Sequence, residues 1–400
     1  MPNRSIQKAL AMLALALVMS ACGGSTPTPE KLQTPVFHAA GNPGLLSDWN
    51  IAHIEDSVLV LNENVLPFDL NSPLFTDYAH KLRTVWMPEG VSANYTQNDA
   101  LDFPVGTIIS KTFYYPRLEG DTRDSLAVVR TDDYGRDYKN TGLDLAGLDL
   151  ANVRLMETRI IAHREEGWIA LPYVWNEAQT EAVLKRAGDL KNLNLVNAAD
   201  GVHTPFPYII PNSNQCAGCH GTNSNTREIK PIGPKARHLN KNYAYADGIQ
   251  NQLAKFTKAG YLTGLPPMGE VAKTANWQDM TLSLQERARG YLDINCAHCH
   301  STVGPADTSG LHLEPSTKYG SYLGVCKVSV SAGAGTGGFL YDIDPGHADT
   351  SIIPFRMNSI DPGIMMPELG RSTIHAEGVA LINAWITQLD GNCGDPQTGN

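Results

Sequence analysis

The chain has 400 residues, with 31 Lys and Arg against 41 Asp and Glu, a net charge of −10, and 42% hydrophobic residues. That length holds two or three domains, each with enough apolar residues for a real core. The acidic balance argues against nucleic acid or an anionic lipid surface as partner, and fits a basic redox partner or plain solubility.

Residues 1–21 read as a lipoprotein signal peptide. Arg4 and Lys8 supply a positive start, and residues 9–19 form an uninterrupted apolar stretch too short to span a membrane. Ser20 and Ala21 lead into Cys22. Small residues directly before a cysteine resemble a bacterial lipobox, in which Cys22 becomes the lipid-attached first residue of the mature protein. Gly23 after it resembles the pattern sent to the outer membrane of Gram-negative bacteria. Residues 22–34, with Gly23-Gly24-Ser25-Thr26-Pro27-Thr28-Pro29, cannot bury a core and read as a tether. Loss of residues 1–21 removes two positive charges, leaving 29 basic against 41 acidic residues, net −12. The expected location is the cell envelope, at the periplasmic face of the outer membrane, with membrane contact through the lipid anchor only.

Residues 35–200 are expected to form a β-rich domain, a sandwich or barrel-like fold. Residues 103–115 mix β-branched and aromatic side chains bounded by prolines, and 154–161 and 168–175 read as two strands about a Glu166-Gly167 turn. The tandem Leu143–Gly147 and Leu148–Asn152 segments read as coincidence or a hairpin. The acidic loop 132–137 lacks the ligand spacing of a calcium loop and reads as a solvated turn.

The second half carries the chemistry. Cys216-Ala217-Gly218-Cys219-His220 and Cys296-Ala297-His298-Cys299-His300 are two copies of C-x-x-C-H. Two thiols at this spacing match the two vinyl groups of haem, and the next residue, an imidazole, falls under the ring as the proximal iron ligand. The competing explanations are a redox C-x-x-C pair or half of a zinc site. Two copies behind an export signal favour two covalently bound haem c groups, with Cys216, Cys219, Cys296 and Cys299 as attachment points and His220 and His300 as iron ligands. Cys326 and Cys393 are then left as a candidate disulfide in an oxidising compartment.

Residues 201–279 form the expected first haem region, with a helix predicted from Gly248 to Gly260. Residues 280–393 form the second, with an insertion at about 311–353. Ser283-Leu284-Gln285-Glu286 fits a capping box, and Leu284, Ala288, Tyr291 and Leu292 form a helical stripe leading into the second motif. A last helix is predicted from about His375 to Leu389. Helix, motif, excursion, methionine loop and closing helix together resemble a class I cytochrome c domain, with Gly290, Tyr291 and Trp385 placed for the helix crossing. A strand is expected at 325–330. Residues 333–338 match G-x-G-x-x-G in form, but strand and turn follow instead of a helix, so they read as a loop.

The sixth ligand separates a carrier from a catalyst. In Asp361-Pro362-Gly363-Ile364-Met365-Met366-Pro367, Met366 directly precedes proline and is the candidate ligand of the second haem iron. For the first haem Met268 is a tentative choice beside His238, His203 or no ligand. Lys235 and Arg237 are candidates to neutralise propionates, or residues of an exposed turn.

Segments 73–79, 103–107, 171–176, 214–216, 287–293, 304–310 and 366–371 together resemble an incompletely characterised family of bacterial dihaem c-type cytochrome lipoproteins. The resemblance runs from the tether almost to Cys393. It implies a multidomain α+β protein: a β-rich N-terminal domain followed by a mainly α, cytochrome c-like dihaem region. It also implies an envelope partner, since family members are expected beside a secreted parallel β-helix protein. The family supplies no reaction. The sequence favours electron transfer with a periplasmic or outer-membrane redox partner. Its rivals are a peroxidase-like or other small-molecule oxidoreductase with an open first haem, and a redox-sensing binding module.

Overall fold

A computed structural model describes residues 33–122, 125–131, 143–144 (as backbone) and 147–394. Met1–Gln33 separates as a unit from Thr34–Asn400. The expected signal peptide, Cys22, most of the tether and the acidic loop 132–137 lie outside the described residues. Among the described residues, no helix is long and apolar enough to cross a membrane.

The β-rich half is built on a six-stranded antiparallel sheet in the spatial order Ala182–Leu184, Gly167–Trp175, Val153–Arg164, Ile108–Pro116, His80–Trp86 and Leu66–Phe68. Among the described residues its end strands do not pair, so the sheet stays open and does not close into a barrel. The predicted hairpin is present: Arg164 pairs with Gly167 across Glu165-Glu166, and Gly167 takes a positive φ of +114° at the start of the return strand. Residues 103–107 precede the strand, which begins only at Ile108. Leu143–Asp144 pairs antiparallel with Gly147–Asp149 in a second sheet.

Alternation along the strands divides the central sheet into two buried faces. Leu82, Ile108, Tyr114, Ile160, Leu171 and Tyr173 pack with Trp49 on one face. Val85, Ile109, Ile161 and Ala170 point to the other, where they pack with Cys216, Leu253 and Phe256 of the second half. A third cluster joins Phe113, Tyr115, Leu193 and Tyr208 to Tyr291, Leu292, Ile382 and Trp385. The sheet and the motif-bearing segments therefore share cores. Each such large apolar side chain contributes about 1.5–3 kcal/mol when buried.

The second half is less helical than expected. Residues 201–279 hold the strand His203–Ile210, the hairpin Asn242–Tyr245 with Gly248–Asn251, and three short helices, Ser213–His220, Ala236–Leu239 and Gln252–Lys258. The predicted 248–260 helix begins late because Asn251 caps it, accepting from Leu253 N. Residues 248–251 pair instead with the preceding strand, leaving Ile249 71% exposed. Residues 280–393 contain the helices Leu284–Asn295, Ile352–Met357 and Ala376–Thr387 amid 3-10 turns and loops. The expected strand at 325–330 is reduced to single bridges, Val325 with Ile343 and Val328 with Tyr341, because Cys326 takes a positive φ. Residues 333–336 form a 3-10 turn and no helix opens after the glycine-rich run.

Candidate dihaem site

The first motif lies in the helix Ser213–His220. Asn212 and Gln215 close a capping box at its start, worth about 1 kcal/mol, which holds a short helix in register. Cys216 is buried on the sheet face beside Ile109, Ile161 and Ala170. His220 sits at the helix end, its Nδ1 2.8 Å from the Lys230 carbonyl oxygen. A carbonyl only accepts, so Nδ1 carries the proton and Nε2 keeps its lone pair. Burial pushes His220 down to about 4, so the ring is neutral near pH 7.

The second motif starts at the C-cap of Leu284–Asn295, whose capping box of Ser283 and Glu286 forms as predicted. His300 Nδ1 lies 3.4 Å from Ser309 Oγ, whose own proton goes to the Ala306 carbonyl at 2.6 Å. This favours the same tautomer, with the proton on Nδ1 and a lone pair on Nε2. Burial, then Arg356, lowers His300 to about 4.

Cys216, Cys219, Cys296 and Cys299 carry free thiols. Burial raises all four, Cys296 and Cys299 to about 12. A redox C-x-x-C pair needs a depressed thiol pKa, so these environments oppose that reading. Among the described residues, no group of three or more His, Cys, Asp or Glu is placed to hold a metal ion. The two motifs therefore do not pool their thiols into one tetrahedral site.

The fold brings the motifs together. Cys219 is near enough to Cys299 to oppose its ionisation, and His298 feels His220. The loops after the motifs are tied, Ser224 N to the Val303 carbonyl and Ser224 Oγ to Asp307, both at 2.8 Å. The methionine loop touches the first motif as well, since a Cβ on Gly218 would lie 3.1 Å from Leu369. Met366 lines a crevice with Met357, Tyr291, Asn295, Arg371 and His375, at the foot of the helix that leads into the second motif. Its neighbour Met365 is packed inside.

That loop is held from two sides. Arg371 is 5% exposed, and its guanidinium donates to the carbonyls of Met366 (2.9 Å), Ser359 (2.8 Å), Arg356 (3.3 Å) and Thr373 (3.0 Å). From the β-rich half, Asp77 accepts from Ser372 N at 2.7 Å and from Thr373 N and Oγ1 at 2.8 Å. Phe75 stacks on His375 at 4.3 Å, and Tyr78 donates to Glu377 at 2.9 Å. Segment 73–79 thus clamps the chain that follows the methionine loop. Reading the sequence missed Met357, Arg371, His375 and this clamp. In sequence, segment 73–79 and Arg371 stood out only as carriers of the family resemblance, with no role attached to them.

Other expected roles shift. Arg237 is committed to Asp293 through Nε (2.9 Å) and Nη2 (2.8 Å), so it is not open to a propionate. His238 is buried against the same Asp293, Nε2 to Oδ2 3.6 Å. Lys235 remains close to His298. Met268 stands 36% exposed on the turn Met268–Glu270, and His203 is exposed on the edge strand His203–Ile210. At the helix crossing Tyr291 meets Gly378, where a Cβ would lie 2.5 Å from Tyr291 Cζ, and Trp385 donates to Gln285. Gly290 lies instead against the Ala275 backbone. Cys326 and Cys393 form a disulfide with Cα atoms 5.2 Å apart.

The donor set fits covalent haem. Each motif offers two unpaired thiols and a neutral imidazole whose Nδ1 faces an oxygen of the protein. No family model, curated protein or solved structure matches the chain.

Proposed function

We propose that the chain is a covalent dihaem c-type cytochrome that carries electrons in the cell envelope. The observation that carries this reading is that the two motifs lie side by side, each with two free thiols and a neutral imidazole whose Nδ1 faces a protein oxygen. When bound, haem supplies one-electron exchange at iron. The chain's own residues do the rest. Lys230 and Ser309 orient the proximal rings, and hydrogen bonds to the far ring nitrogen raise ligand basicity. Arg371 and Asp77 fix the loop that carries Met366, whose thioether suits a high-potential iron. The packing of Leu284–Asn295 against Ala376–Thr387 through Tyr291 and Gly378 supports a class I cytochrome c-like arrangement for the second haem.

In this reading, Cys22 anchors the protein by lipid at the periplasmic face of the outer membrane. Its partner is an envelope redox protein, and the family resemblance suggests a secreted parallel β-helix protein. The test is EPR with an optical redox titration of the holoprotein. Two low-spin ferric signals unchanged by cyanide or carbon monoxide support electron transfer. A high-spin component that binds those ligands moves the assignment to a small-molecule oxidoreductase.

A further inference from the structure

The sheet face under the first motif carries more basic side chains than carboxylates, most of them largely buried. Arg83, Lys111 and Arg159 are directly opposite one another on three adjacent strands. Like charges in that register repel and destabilise a sheet. Lys81, paired with Phe113 in the next row, is 5% exposed. With Lys241 this makes five basic side chains against two carboxylates. Asp69 takes Arg83 at 2.8 Å and Lys241 at 2.9 Å, and Glu157 takes both Arg159 Nε (2.8 Å) and Nη2 (2.5 Å). Lys81 donates to the Ala79 carbonyl at 2.8 Å.

Two donors of the row are left over. Arg83 is 4% exposed, yet its Nη2 is buried with no partner among the described residues. Lys111, partly exposed, has only the Phe113 ring, at 4.8 Å, and no ion pair among the described residues. Burial lowers Lys81 well below its ordinary value and Lys111 to about 7, so a lysine here either gives up its proton or is completed by an anion, whereas an arginine cannot discharge. The row also lies beside the first motif: Cys216 packs with Ile109 and Ile161, which stand two residues along from Lys111 and Arg159 on the same face of the same strands.

We propose that this row is the carboxylate-binding floor of the first haem, with Lys111 and the free Nη2 of Arg83 receiving its two propionates. The proposal rests on the dihaem reading above. It gives the β-rich half a direct part in the redox site: the sheet neutralises the group that the helix Ser213–His220 attaches. A covalently fixed pair of carboxylates suits a buried row better than a diffusing anion, because it pays no association entropy on each encounter.

The test uses holoprotein exported with a c-type haem attachment system, as wild type, Lys111→Met and Lys111→Arg. Intact mass counts the haems and a redox titration resolves two midpoints. Reduced haem is one charge more negative, so a nearby cation favours it. Lys111→Met is expected to keep both haems and lower one midpoint, about tenfold in its reduction equilibrium or ~59 mV for one electron. The other midpoint stays, Lys111→Arg restores the first, and inorganic phosphate leaves the wild-type midpoints in place. Should Lys111→Met fail to export, Lys111→Gln is read the same way. Full haem content with both midpoints unmoved overturns the proposal. So does a wild-type midpoint that moves with phosphate and stops moving in Lys111→Met, which assigns the row to a free anion. A wild type with no covalent haem removes the underlying reading, and this proposal with it.

Discussion

Asp293→Asn tests the post that joins the two motif-bearing segments. Asp293 lies three residues before Cys296, and its side chain is 0% exposed. It accepts Arg237 Nε at 2.9 Å, Arg237 Nη2 at 2.8 Å and Thr274 Oγ1 at 3.1 Å. Burial alone would raise this carboxyl, but His238 and Arg237 outweigh it and hold it at about 2, against an ordinary 3.8. His238 is itself pushed down to about 3 by burial, so it is neutral near pH 7 and Arg237 carries the stabilisation there. The depressed carboxyl corresponds to about 2 kcal/mol. Leaving Arg237 unpaired in a buried site costs about 3–5 kcal/mol by the usual measure of broken buried pairs. Asp293→Asn should therefore lower unfolding free energy by roughly 2–4 kcal/mol at pH 7, read by urea denaturation with tryptophan fluorescence. The sign with pH follows from the depressed value. The stabilisation is complete above about pH 4 and is lost as pH falls through about 2, so wild type and variant should converge in acid. A loss below about 1 kcal/mol, the range of exposed pairs, or a difference that persists in acid, would refute this account of the post.

Three further outcomes are expected. Gly378→Ala places a Cβ 2.5 Å from Tyr291 Cζ and 2.6 Å from His375 Nδ1, and should cost about 1–3 kcal/mol in thermal or urea unfolding by overpacking the helix crossing. Arg371→Met removes the donor shared by four carbonyls around the methionine loop; a high-spin EPR component should then appear from one haem, and Arg371→Lys should not abolish it. Replacing Cys326 and Cys393 together by Ala opens a 67-residue separation and should lower unfolding free energy by about 4 kcal/mol in the chain-entropy account, with haem content by intact mass unchanged.

The sequence was most legible where spacing alone defines a local feature. The Ser283–Glu286 capping box and the 164–167 hairpin are local signals and both form; the C-x-x-C-H spacing is equally local, and the haem it suggests stands as a proposal. Less was legible wherever tertiary contacts decide. The 248–260 segment has helical periodicity, but pairing with Asn242–Tyr245 claims its first turn. Arg237 looked available because nothing in sequence shows Asp293 folding onto it 56 positions later. The row of Arg83, Lys111 and Arg159 depends on the register of three strands that are far apart in sequence. A hint did exist in His80–Trp86, where charges at Lys81 and Arg83 alternate with apolar residues on a strand that is buried along its whole length. Open solvent does not explain charges placed that way.

The most direct measurement is the intact mass of the exported protein alongside its Cys216→Ser/Cys219→Ser and Cys296→Ser/Cys299→Ser variants. Two haems on the wild type and one on each double variant are predicted. A wild type carrying fewer than two, or a double variant that keeps the full complement, would contradict the assignment of one covalent haem to each motif.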